Sequence, residues 1–387
     1  MINSFMRKER EYQICSNCVM DTSDLEITFD SEGVCNHCIN FDQVIRLNWF
    51  PNKKGEKKLF NHITQIKKSG QNQEYDCILG LSGGIDSAYL AIKAKDWGLR
   101  PLVIHVDAGW NSELAVSNIE KIVTHCNYDL HTEVIDWVAM KNLHIAYLKS
   151  GVSNQDVPQD HIFFSALYHF ATKNKIKYIL SGGNIATESI FPASWHGSAM
   201  DSINLKAIYK RFGPTEKLKN YKTINFFKYY IYFPFVYKMQ VFRPLNFMPY
   251  DKKEALKELE TIGYKKYEGK HGESIFTKFF QDYYLPKKFG YDKRRPHLSS
   301  LIVSGQMERA EAFKELEKPL YDPKKIKNDI VYIEKKLGLN TEELEELIEN
   351  QNHSFDEFPN WLKYLNLFRF INRIINKILG KKVKVKY

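Results

Sequence analysis

The chain has 387 residues, more than one hydrophobic core usually holds and enough for two domains with additions. Hydrophobic residues make up 43% and charged residues 26%, which excludes a disordered chain, and no apolar run reaches bilayer length. Lys and Arg outnumber Asp and Glu by 56 to 46, favouring anionic partners such as nucleotides, nucleotide-sugars, RNA or an acidic membrane face, and the start MINSFMRKEREYQ lacks a secretory h-region, so the cytoplasm is expected.

The first element is a cysteine quartet, Cys15-x2-Cys18 and Cys35-x2-Cys38, in the spacing of a zinc ribbon. Each pair supplies two sulfurs from one tight turn, and ITFDSEGVC reads as the hairpin that returns the second pair. Four thiolates close a tetrahedron without an open position, so the expected Zn2+ is structural and supplies folding energy to a small module. An iron–sulfur cluster uses the same ligands, and His37 inside the second pair can replace a sulfur or donate from outside the ligand set. Six cysteines in a cytosolic chain of this size do not form a disulfide framework.

Residues 40–75 are polar and lysine-rich, with 52–58 read as an exposed connection, and the core domain begins near Tyr75. Strands are expected at 77–81, 102–107, 131–136 and 177–183, and helices at 86–97, 112–126 and 160–174. This alternation predicts an α/β fold, a doubly wound parallel sheet whose ligands sit at the carboxyl edge of the strands. Three turns gather there, at 82–87, 107–112 and 181–188.

The first of these turns, within CILGLSGGIDS, runs from a buried strand through Ser82, Gly83 and Gly84 into a helix bearing Asp86 and Ser87. Backbone N–H groups and the helix dipole make such a junction a phosphate cradle. A Walker loop requires Gly-Lys-Ser/Thr, and Ile85 and Asp86 stand where it would need other residues. SGGIDS instead resembles the PP-loop of the ATP pyrophosphatase superfamily, which implies cleavage between the α- and β-phosphates. In such proteins the turn after the second strand holds adenosine, here Asp107 onward. The third turn offers Gly182, Gly183, Asn184, Thr187 and Glu188 toward the nucleotide. Taken singly, Asp107 reads equally as a helix cap and Gly182-Gly183 as an ordinary turn.

Residues 206–243 carry nine Lys or Arg, one Glu and twelve aromatics. Such interleaving suits single-stranded nucleic acid or, the favoured reading, a lid with an aromatic core. Lys270 and His271, then Arg294, Arg295 and His297, bring cations into glycine-bearing segments that can clamp pyrophosphate or a substrate anion, or pair with nearby carboxylates. The acidic run 342–349 reads as a solvated helix face. Trp361, Tyr364, Leu365, Phe368, Ile371, Ile375 and Ile378 share one face of a basic C-terminal helix, which caps its own domain or lies on a membrane.

To about residue 330 the chain resembles the N-acetyl sugar amidotransferase family of bacterial surface-polysaccharide and nonulosonic acid biosynthesis, through CSNCVMD, GVCNHC, LGLSGGIDSAY, VDAGWNSELAVSNIEK, SGGNIATES, RPLNFMPYDKKEA, KHGESIFTKFFQ and RRPHLSSLIVSGQM. The resemblance implies conversion of an acetamido to an acetamidino group with ATP, Mg2+ and ammonia, on pathways such as lipopolysaccharide O-antigen or pseudaminic and legionaminic acid synthesis. Ammonia would come from separate glutaminase and synthase-like subunits, because Met1 is not a terminal nucleophile, Cys77 falls in a strand and Cys126 lacks a nucleophile-elbow context. On this basis Ser82, Gly83, Gly84 and Ser87 are assigned to pyrophosphate, Asp86 to the metal or to loop geometry, Arg294 and Arg295 to charge neutralisation, and Lys270, His271 and His297 to substrate. The expected organisation is a zinc-ribbon-like module over 1–45, the ATP-binding domain over 75–200, a substrate and lid region over 201–330 and a helical extension over 331–387. A tRNA-modifying or thiolating PP-loop enzyme and a non-catalytic zinc-containing binding module are the alternatives.

Overall fold

The computed structural model describes residues 10–267 and 272–379. Five parallel strands form one sheet: β1 (Cys77–Gly80), β2 (Pro101–Asp107), β3 (Leu130–Val134), β4 (Tyr178–Leu180) and β5 (Gln240–Phe242), in the order β3-β2-β1-β4-β5. β1 pairs with both β2 and β4, in register Ile78 to Leu102 and Ile78 to Ile179. The order reverses between β1 and β4, so a crevice opens beyond their carboxyl ends.

Among the described residues the α-helices of eight residues or more are α1 (Lys53–Ser69), α2 (Ile85–Asp96), α3 (Glu113–Cys126), α4 (Trp137–Ser150), α5 (Val157–Lys173), α6 (Ser202–Phe212), α7 (Lys252–Glu260), α8 (Arg294–Val303), α9 (Arg309–Glu317), α10 (Pro323–Leu337), α11 (Thr341–Glu349) and α12 (Leu362–Leu379). Alternate strand residues face opposite sides. Ile78, Ile104 and Val106 pack with α4, α5 and α6, whereas Cys77, Leu79 and Val103 pack with α1, α2, α3 and α7. Both faces are therefore covered, as the apolar runs of β1 and β2 require.

Two local readings need correction, those of 52–58 and of the missed elements. Residues 52–58 are not a connection: Asn52 Oδ1 accepts from the Lys54 and Gly55 N–H groups and caps α1. The helix α4, capped by Asp136 through the Ala139 N–H, and the strand β5 escaped the pattern. Within the aromatic run, Phe226, Tyr229 and Tyr230 surround Trp361 with ring centroids 5.4–5.9 Å away, so these rings are packed inward and not presented to bases.

The cysteine module docks through its apolar side. Met20, Ile27 and the cysteines pack on Ile190 and against Ile302 and Val303 of α8. Trp361, just before α12, and Leu365 on it are buried, while Tyr364, Leu367, Phe370 and Ile371 of α12 are exposed. Among the described residues no helix is long and apolar enough to cross a membrane.

Candidate functional site

The loop after β1 is shaped by its glycines and held by tyrosines from far along the chain. Gly83 has φ +88°, a conformation that favours glycine, and its carbonyl accepts from Tyr264 Oη at 2.8 Å and Tyr267 Oη at 2.9 Å. Burial raises both phenols, that of Tyr267 to about 12, so they stay protonated donors. Gly84 is the N-cap of α2 and has no side chain to cap it, which leaves the first-turn N–H groups aimed beyond the strand end. Ser82 Oγ and Ser87 Oγ lie 3.2 Å apart across the turn, and Ser87 Oγ donates to the Gly84 carbonyl at 3.1 Å.

Asp86 joins this loop to the one after β4. Its Oδ1 accepts from Asn184 Nδ2 at 3.0 Å and from Tyr250 Oη at 2.5 Å, while its Oδ2 accepts no hydrogen bond among the described residues. Burial first, then the Asp86 charge, pushes the Tyr250 phenol far up, so it remains the donor. Asn184 Oδ1 in turn accepts from the Thr187 N–H and hydroxyl at 3.0 and 3.2 Å. Thr187 is buried, and both its N–H and its hydroxyl position Asn184. Gly182 permits the two loops to touch: a Cβ there would stand 2.9 Å from the Asp86 carbonyl carbon and the Ser87 nitrogen.

Beyond β2, Asp107 Oδ1 accepts from the Gly109 N–H at 2.8 Å and from Asn111 Nδ2 at 3.1 Å. The same amide lies 2.9 Å from His105 Nε2, and His105 Nδ1 lies 3.0 Å from the Leu81 carbonyl. Those partners require a neutral ring with the proton on Nδ1, and burial lowers its pKa in agreement. Residues 272–275 cross this edge: Ser112 N–H donates to the Glu273 carbonyl at 2.9 Å, and Ile275 N–H to the Trp110 carbonyl at 3.0 Å. Glu273 consequently approaches the Gly84 turn, with Oε1 3.7 Å from where a Gly84 Cβ would be.

The cations expected to neutralise phosphate are engaged elsewhere. All five Arg294 N–H donors are used, on Asp292 and on the carbonyls of Glu315, Leu316 and Lys318 at the end of α9. Arg295 meets Asp21 at 3.0 Å and the Val19 carbonyl at 2.8 Å, fastening the cysteine module to α8. Their doublet therefore serves the frame. Arg243, just after β5, brings a cation to the second loop, with Nε 3.7 Å from where a Gly183 Cβ would be. His297 sits behind that loop, Nδ1 to the Thr187 carbonyl at 3.2 Å. Lys270 and His271 lie outside the described residues.

The four cysteine sulfurs lie within 4.8 Å of one another, with 3.7 Å between Cys18 and Cys35 and 3.9 Å between Cys15 and Cys38. Tetrahedral Zn–S bonds of about 2.3 Å place sulfurs about 3.8 Å apart, so the quartet fits a tetrahedral ion. Backbone N–H groups of Asn17, Cys18, Met20 and Cys35 point at the Cys15 and Cys18 sulfurs, as thiolates require. His37 is not part of the set, since its Nε2 is 2.6 Å from Asp24 Oδ2. Arg309 donates to the Cys15 and Cys18 carbonyls at 2.7 and 2.9 Å, and Ser299 Oγ accepts from the Val19 N–H at 3.2 Å. One helix, α8, therefore contacts the cysteine module through Ser299, and its C-cap Ser304 reaches the second loop, the hydroxyl donating to the Ala186 carbonyl at 2.8 Å.

Residues 273–373 match a family model described as "LPS biosynthesis protein WbpG-like, C-terminal domain". A stretch of 120 residues is 31% identical to the uncharacterized protein MJ1599 of Methanocaldococcus jannaschii, covering 30% of this chain. The match spans 40% of that relative's length. Two solved structures are similar in part. An NH3-dependent NAD synthetase from Campylobacter jejuni in complex with nitrate is 15% identical over 40% of this chain and 72% of its own, with TM-score 0.28. An NMN synthetase from Francisella tularensis is 16% identical over 57% of this chain and 98% of its own, with TM-score 0.30.

Proposed function

We propose that the chain is an ATP-dependent, AMP-forming amidotransferase that activates the acetamido oxygen of a bacterial N-acetyl sugar and installs ammonia nitrogen in its place. The observation that carries the reading is the junction of two glycine loops at Asp86, where one carboxylate oxygen is anchored by two donors and the other is left open beside uncapped helix N–H groups. The matched WbpG-like domain supports lipopolysaccharide synthesis as the setting.

The amide oxygen is a weak nucleophile and, as hydroxide, a poor leaving group, so it is first adenylated and then leaves as AMP. The N–H groups at the start of α2, with Ser82 and Ser87, hold the departing pyrophosphate, and Arg243 supplies the cation first assigned to Arg294 and Arg295. Asp86 Oδ2 would hold Mg2+, which when bound offsets the charge of the phosphates. Asp107 and the turn after β2 would receive adenosine. The quartet Cys15, Cys18, Cys35 and Cys38 would hold Zn2+ as a brace for α8. Ammonia would arrive from a partner glutaminase, in keeping with Cys77 fully buried in β1 and with a Cys126 thiol pushed up by burial to about 11.

The test is to incubate the protein with ATP, an ammonium salt and a panel of free and UDP-linked acetamido sugars. The reading expects AMP and pyrophosphate together with a sugar lighter by the difference between O and NH. AMP with an adenylated or thiolated RNA instead would move the assignment to the tRNA-modifying alternative.

A further inference from the structure

The helix α12 has two apolar stripes, and the fold uses one of them. Its root is fixed: the Trp361 N–H donates to Asp201 Oδ2 at 2.8 Å, and the Trp361 indole lies among the rings of Phe226, Tyr229 and Tyr230. Leu365 is buried one turn on, and the Phe368 ring follows, 6.1 Å from that of Tyr230. At about 100° per residue Trp361, Leu365 and Phe368 share one stripe, which is all that a helix needs to cap its own domain. Tyr364, Leu367, Phe370 and Ile371 fall on a neighbouring stripe that is turned outward, and they are 43–58% exposed. Large apolar side chains gathered on one exposed face mark a place that another surface covers.

A second part of the chain brings exposed aromatic surface beside that stripe. The Phe226 ring lies 5.8 Å from the Tyr364 ring, and the next two residues, Phe227 and Lys228, are both exposed. Charge then decides what the covering surface is. Residues 362–387 hold eight Lys or Arg and no Asp or Glu, so eight of the ten net positive charges of the chain stand in its last 26 residues. Of these, Lys363 and Arg373 are exposed on α12 and lie along the border of the outward stripe. A second copy of the chain would bring like charges together around the same apolar groups. A bilayer with anionic headgroups offers the opposite charge over an apolar interior, and Lys and Arg reach the headgroups on apolar stems that lie along the boundary.

We propose that α12, with Phe227 and Lys228 beside it, lies in the plane of an anionic membrane surface. Tyr364, Leu367, Phe370 and Ile371 enter the boundary between headgroups and acyl chains, and the basic residues pair with the anionic headgroups. The charges on the helix keep it in that plane and out of the hydrocarbon centre. The inward stripe, with Trp361 and Asp201 at its root, holds the helix on the protein while the outward stripe is occupied, so the folded chain is retained at the bilayer without any part of it opening. The contact is separate from the glycine loops and does not depend on which reaction they carry.

The test is co-sedimentation of the full chain with vesicles of phosphatidylcholine alone and of phosphatidylcholine mixed with phosphatidylglycerol, over a range of salt. The wild type is expected to bind the mixed vesicles in strong preference, and less tightly as salt rises. Lys363→Gln with Arg373→Gln should lower that affinity about thirtyfold, from about 1 kcal/mol for each cation near the surface. Leu367→Ser with Phe370→Ser keeps every charge and should lower it by at least as much, because the apolar insertion is lost. An adsorption that is electrostatic only would leave this second pair without effect and overturns the proposal. Equal binding to the two kinds of vesicle, or wild-type binding by the first pair with a native melting curve, overturns it as well. So does a lipid-free dimer that Leu367→Ser with Phe370→Ser dissociates, or binding to an acidic protein without binding to either vesicle, since the face would then belong to a protein partner.

Discussion

Gly182 and Gly183 are neighbours in one turn, and alanine should affect them in opposite directions. A Cβ on Gly182 would lie 2.9–3.0 Å from three backbone atoms of Asp86 and Ser87. Comfortable carbon contacts are about 3.5–4.0 Å, so the loops must part by about 0.5–1 Å, and overpacking of this kind costs about 1–3 kcal/mol. A shift of about 1 Å in reacting groups lowers rate by about a hundredfold, and the contact between Asn184 and Asp86 would lengthen with it. At Gly183 the nearest atoms are 3.4–3.7 Å away and φ is not positive, so alanine fits and stabilises by about 0.4–1 kcal/mol through the unfolded chain. Urea unfolding of both variants, with fluorescent ATP-analogue binding, checks the contrast. Equal stability and equal nucleotide affinity in Gly182→Ala and Gly183→Ala would refute the account of how the two loops meet.

Four further outcomes follow from the same geometry. Tyr250→Phe removes the short donor to Asp86 and should destabilise the protein by about 1.5–3 kcal/mol in chemical unfolding, as expected for a hydrogen bond to a charged group, and should weaken nucleotide binding more than Tyr264→Phe does. Cys18→Ser or chelation should release one metal ion per chain by mass spectrometry and raise amide exchange in residues 294–304, because α8 is fastened to the cysteine module. His161 is held neutral, Nδ1 to the Ala199 carbonyl and Nε2 accepting from Ile224 N–H, and burial lowers it to about 4. Its folded pKa lies below the unfolded value, so the unfolded chain binds more protons as pH falls from about 6.5 toward 4, and wild type should lose up to about 1.4 kcal/mol per pH unit relative to His161→Gln. The exposed face of α12 should bind anionic vesicles in a salt-sensitive manner, and Leu367→Asp with Phe370→Asp should abolish co-sedimentation without changing the melting temperature.

The core sheet was legible because buried parallel strands read as continuous apolar runs, and 77–81 and 102–107 are such runs. β5 was not: three residues between two aromatic segments carry no period. The glycine turns and cysteine pairs were visible because their chemistry is local, compressed into a few consecutive positions. Tyr250, Tyr264 and Tyr267 serve loops more than 160 residues earlier, and only the fold brings them there. The same distance effect misdirected the reading of Arg294 and Arg295, whose partners are the end of α9 and the cysteine module. Tyrosines beside a lysine-rich segment give no sign of a carbonyl waiting for their hydroxyls.

The central claim is that the acetamido oxygen itself is adenylated. The most direct measurement is to supply an acetamido sugar carrying heavy oxygen in the acetyl carbonyl, with ATP and ammonium, and to weigh the AMP and the sugar product. The account predicts that the label leaves the sugar and appears in the AMP phosphate. Unlabelled AMP, or ADP in its place, would contradict it.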